Sequence, residues 1–149
     1  MEAIRHRVGI YAPIEDVYDA FATPEGVKQW WTTDVRGESR LGGELAFRFG
    51  RPEPAAVVEL AELTPPSRVV WRCVEGPPEW VGARITFDLR AHDDETVVVF
   101  THDNWREPVE FMHHCTTAWA YYLLSAKRGL EDGTATPWPH NHKVSSWGS

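Results

Sequence analysis

Cysteine is scarce in this 149-residue chain. Cys73 and Cys115 are the only two, far apart and without CxxC spacing. They give no disulfide framework and no metal-ribbon pattern, and point to reduced thiols in a cytoplasmic protein. Positive charge is also in short supply: 15 Lys and Arg stand against 22 Asp and Glu, for a net charge of -7, and no basic stripe offsets it. No binding to nucleic acid or to an anionic membrane is therefore expected. No stretch approaches the roughly 18 apolar residues of a membrane span. The start MEAIRHRVGI lacks the apolar run of a secretory signal. Gly-x-Ser-x-Gly, GxxxxGK and GxGxxG are missing, so neither a standard nucleophile nor a phosphate or dinucleotide cofactor is indicated, and no cofactor is expected. Metal-ligand spacing is missing as well: His113, His114 and Cys115 are adjacent, and neighbours on a helix point about 100° apart, so they do not converge on one ion.

Aromatic residues are plentiful instead. Eight tryptophans and a hydrophobic content of 42% suit a single domain with a substantial core. Residues 3–11 alternate, with Ile4, His6, Val8 and Ile10 on one face, which predicts a half-buried strand. Pro13 then opens a short helix marked by Ile14, Val17, Tyr18 and Phe21, and Thr23-Pro24-Glu25 caps a second that ends near Trp30 and Trp31. From Leu41 to Asn104 the chain reads as strands separated by turn signals at Leu41-Gly42-Gly43, Arg51–Pro54, Thr64–Ser67, Glu75–Pro78 and Ala91–Glu95. The strand after Pro78 is expected to turn Val81, Ala83, Ile85, Phe87 and Leu89 to one side. In the 57–63 strand the alternation is ambiguous, and Glu59 is read as outward. A long apolar helix follows from about Val109 to Asp132, with Met112, Cys115, Trp119, Tyr122, Leu123, Ala126 and Leu130 at helical spacing and Gly133 at its end. Phe111, Ala118 and Tyr121 broaden that stripe. The expected architecture is α+β, an antiparallel sheet of about six strands with one long helix on one face. One domain over 1–139 and an irregular tail over 140–149 complete the reading.

This order resembles the START-like SRPBCC superfamily with its helix-grip fold, and within it the homologues of the activator of heat-shock protein 90 ATPase. YAPIEDVYDAFATPEGVKQWW, the Gly42-Gly43 entry to LAFRF, ELTPPSRVVW, TVVVFTHDNW and the Trp119 helix carry the resemblance over residues 4 to 139. It implies a curved sheet wrapped around the C-terminal helix, with a cavity between them. Members include carriers of hydrophobic ligands, polyketide cyclases and co-chaperone domains.

His102 shares a strand face with Val98 and Phe100 and should point at the helix, as a structural histidine or as an acid-base group. Trp71 and Trp119 fall on interior faces, Trp30 and Trp31 end the helical hairpin beside the expected cavity mouth, and Trp105 closes the last strand. Together with Phe87, Met112, Tyr122 and His113, the one of the two adjacent histidines placed in the site, they form the candidate ligand wall. Three functions are compatible with it. These are binding of a hydrophobic or aromatic small molecule, a cyclase- or hydrolase-like activity with His102 as acid-base, and a co-chaperone or stress-response role. A monomer or homodimer is expected.

Overall fold

A computed structural model describes residues 2–148. Its elements are β1 (Ile4–Ile10), α1 (Ile14–Ala22), α2 (Pro24–Val27), β2 (Asp34–Gly37), β3 (Glu44–Arg48), β4 (Ala56–Thr64), β5 (Arg68–Glu75), β6 (Arg84–His92), β7 (Glu95–Asp103) and α3 (Glu110–Asp132). The strands form one antiparallel sheet in the order β1-β7-β6-β5-β4-β3-β2, a meander from β2 to β7 closed by β1 on the far side of β7. This is the helix-grip architecture, with seven strands where the pattern predicts about six. The addition is β2, four residues long with Val35 alone buried, too short to show alternation.

One face of the sheet carries the core. The register sets Ile85 against His102, Phe87 against Phe100 and Trp71 against Ile85, so their side chains stand side by side above the same face. Two register shifts in β4, at Val57/Val58 and Leu60/Glu62, explain the ambiguous alternation there, because a bulge lets neighbouring residues both turn inward. Val57 and Val58 are both buried, whereas Glu59 points out and pairs with Arg72 at 3.3 Å. The strand expected to begin near Val81 starts at Arg84 instead. A turn over 77–83 precedes it, in which Trp80 is buried and Val81 exposed.

The C-terminal end of α1 accounts for much of the packing. A helix leaves its last four carbonyls without intrahelical partners. Here Asp19 O accepts from Thr23, Ala20 O from Trp30 Nε1 (2.8 Å), Phe21 O from Trp71 Nε1 (3.0 Å) and Ala22 O from Ser39 Oγ (2.7 Å). Thr23 also caps α2, accepting from Gly26 N at 2.9 Å. Gly26 is required where it sits, since a Cβ there would lie 2.1 Å from Asp19 O.

The helix α3 starts one residue after its predicted position and ends at Gly133, whose φ of 79° lets its N–H reach back to Arg128 and Gly129. Ser125, fully buried, donates to Trp30 O and accepts from Thr136 N, tying helix, hairpin and tail together. The segment after Gly133 is mostly irregular but is held to the domain. Trp138 exchanges backbone hydrogen bonds with Trp31 and Thr33, and its ring lies against Gly50, where a Cβ would stand 2.9 Å away. No helix among the described residues is long and apolar enough to cross a membrane.

Candidate functional site

A cleft of about 380 Å³ opens between α3, the ends of β3 and β4, the 77–82 turn and the tail. Its helical wall is one face of α3: Phe111, His114, Cys115, Ala118, Trp119 and Tyr122 recur at three- and four-residue spacing. Trp31 and Trp80 flank Trp119, with ring centroids 5.1 and 6.0 Å from it, and Trp80 lies nearly parallel to it at 16°. Phe49 and Trp138 form the opposite wall, edge to face at 6.0 Å. At the mouth Trp147 packs against Phe111 and His114, and Ser145 Oγ lies 2.6 Å from His114 Nδ1.

Of the residues expected in the ligand wall, Trp31, Trp119 and Tyr122 line this cleft and the others do not. Trp30 and Trp71 are committed to the carbonyls of α1. Phe87 and Phe100 are packed in the core between Phe21 and Trp119. Met112 is buried off the cleft face of α3, and Trp105 lies behind the wall beside His102. His113 is exposed, and His114 occupies the cleft in its place. The helical rotation of about 100° per residue accounts for this: with Phe111, Cys115 and Ala118 facing the cleft, residue 113 points away.

His102 does face the helix, but from behind the wall. It is fully buried, and its Nδ1 accepts a hydrogen bond from Trp119 Nε1 at 3.1 Å. Because an indole N–H can only donate, Nδ1 is the unprotonated nitrogen and the ring proton sits on Nε2. The rings of Trp80 and Trp105 close around it, with centroids 4.9 and 4.7 Å away. Burial pushes its pKa down to about 3. A histidine that stays neutral near pH 7 and is separated from the cleft by the lining rings of Trp80 and Trp119 is poorly placed as an acid-base group. Cys115 lines the cleft, yet burial pushes its thiol up to about 12, so the nucleophilic thiolate is not formed near neutral pH. Cys73 is likewise raised, to about 11, mainly by burial. Both cysteines are free. Among the described residues, no three His, Cys, Asp or Glu side chains gather as metal ligands.

The sequence pattern did not reveal Phe49, Trp80, Trp138 and Trp147. Trp80 lies in a turn just before the expected strand, and the tail has no periodicity to place its two tryptophans. For His114 and Cys115 the signal was present: they continue the spacing of Phe111, Ala118 and Trp119.

Comparison with known proteins agrees with this architecture. The family model described as Activator of Hsp90 ATPase homolog 1-like protein matches residues 11–128. The solution structure of the Aha1 dimer from Colwellia psychrerythraea is 40% identical, with 91% of this chain and 100% of that one aligned and a TM-score of 0.82. SSP2350 from Staphylococcus saprophyticus shares the fold at 19% identity, covering 90% of this chain and 95% of its own, with a TM-score of 0.73. CalU16 from Micromonospora echinospora does so at 23% identity, covering 91% and 77%, with a TM-score of 0.70. No curated protein gives a significant match.

Proposed function

The chain belongs to the Activator of Hsp90 ATPase homolog 1-like family, and from that premise and the cleft we propose that it binds a hydrophobic or aromatic small molecule between sheet and C-terminal helix. The observation that carries this reading is the cleft itself. Its volume of about 380 Å³ falls in the range of small-molecule sites, roughly 300–1,000 Å³, and its walls are mostly aromatic. Flat ligands suit such walls, since offset and edge-on ring contacts add to the gain from burial. At ~25 cal/mol per Å², burying ~250 Å² of ring surface is worth about 6 kcal/mol, from which the cost of immobilising the ligand is subtracted. Two free thiols support a reducing, cytoplasmic setting.

Native mass spectrometry of the protein purified from cells tests the reading, together with calorimetric titration of a neutral naphthalene-sized probe. The expected result is a co-purifying organic mass or saturable binding of the probe. No retained mass and no binding at millimolar probe would count decisively against it.

A second reading is favoured by the 40% identity to the Aha1 dimer: the protein forms a homodimer and acts on an Hsp90-type ATPase. Light scattering and the ATPase rate of purified Hsp90, with and without the protein, test it. A monomer that leaves the rate unchanged contradicts it.

A further inference from the structure

We infer that the preferred ligand is an aromatic anion, a flat ring system carrying one carboxylate or comparable acidic group; this rests on the cleft being the ligand site. An aromatic-walled pocket alone would suit a cation equally well, because ring faces attract positive charge. The charges around this pocket decide otherwise. Asp and Glu outnumber Lys and Arg by 22 to 15 in the chain, yet among the described residues no carboxylate side chain lines the cleft, and Arg51 is the one permanently charged side chain there. Arg51 makes no ion pair among the described residues, although Glu53 is two positions away. Its planar guanidinium is therefore available to grip a planar acidic group through paired N–H donors. Glu79 is close enough to raise the Cys115 thiol, but it does not line the cleft. His114 adds a second polar contact. With Nδ1 held at Ser145 Oγ, Nε2 is the ring nitrogen with no hydrogen-bond partner among the described residues. A ring lying against Trp119 with its acid at Arg51 would satisfy the apolar walls and the single charge together.

Three probes of one shape separate the possibilities: naphthalene-2-carboxylate, the neutral naphthalene-2-carboxamide and the cationic 2-naphthylmethylammonium ion, each titrated calorimetrically into the full chain at low salt. The carboxylate is expected to bind about fivefold more tightly than the amide, with the cation weakest, and added salt should narrow the gap. Arg51→Gln should remove the carboxylate's advantage over the amide; the residue is exposed, so the fold should tolerate it. Amide binding equal to or tighter than the carboxylate, tightest binding by the cation, or an anion preference that survives Arg51→Gln overturns the inference while leaving the cleft reading intact. Absence of binding by all three probes overturns both.

Discussion

The two ends of one aromatic cluster, joined through Trp31, use the same side chain in opposite ways. Under α1, Trp30 and Trp71 are less than 2% exposed, each indole N–H is spent on a helix-end carbonyl, and Phe21 stacks on Phe87 at 4.3 Å. Around the cleft, Trp31, Trp80, Trp119, Trp138 and Trp147 also meet ring to ring, yet they leave about 380 Å³ between them. A tryptophan whose N–H is anchored to backbone and whose faces are covered belongs to the fold. One whose face borders unfilled space is available to a ligand. Burial alone does not separate these roles, since Trp31, Trp80 and Trp119 are also largely buried.

Substitutions at the two ends should therefore behave differently. Trp71→Ala should have the largest effect, costing ~3–5 kcal/mol of stability by the cavity it leaves, with Phe21 O orphaned as well. Urea denaturation measures the loss, and the fraction that remains folded should bind aromatic probes as before. A cost below 1 kcal/mol would erase the distinction between the two ends.

Acid should come next, through His102 on the boundary between the regions. The folded protein keeps this ring neutral down to about pH 3, whereas in the unfolded chain it protonates near 6.5. The fold therefore loses stability as pH falls from about 6.5 towards 3, and this group has no effect above that window. The slope is ~1.4 kcal/mol per pH unit, or about 2 kcal/mol between pH 6.5 and 5. His102→Asn, whose amide oxygen can accept from Trp119 Nε1, should flatten this dependence in denaturation curves collected at pH 7.5 and 5.0. An unchanged slope would show that other groups carry it.

At the cleft, Trp138→Ala should cost only ~1 kcal/mol of stability, because the backbone bonds that anchor the tail remain, but should weaken probe binding several-fold. Equal losses in stability and binding would mean that the far wall is core after all. Trp147→Ala is expected to be the mildest change, within ~0.5 kcal/mol in stability, since this ring is 53% exposed. Its effect should appear as faster probe release in stopped-flow fluorescence, and an unchanged release rate would remove the mouth from the site.

Most of the fold was legible because its signals are long. Twenty-three helical residues between Glu110 and Asp132 repeat their apolar spacing several times over, and the strands β6 and β7 run for nine residues each between clear turn signals. The four residues of β2 and the bulged β4 offered too little pattern, or a broken one. The cleft was less legible. Trp31, Trp119 and Tyr122 could be placed from their positions beside the hairpin and along the helix. Trp80, Trp138 and Trp147 reach it from a turn and a tail, where position follows from tertiary bonds such as Trp138 N to Trp31 O. The exchange of His113 for His114 turned on one residue of helical phase, and the isolation of His102 depended on the rings of Trp80 and Trp119, brought in from the turn and from α3.

The eight indole N–H signals allow the central distinction to be tested at once. In a ¹⁵N-correlated spectrum titrated with a neutral naphthalene probe, the signals of Trp31, Trp80, Trp119 and Trp138 should move while those of Trp30 and Trp71 stay fixed. Movement of Trp30 and Trp71, or eight unmoved signals at saturating probe, would contradict the assignment of the cleft as a ligand site.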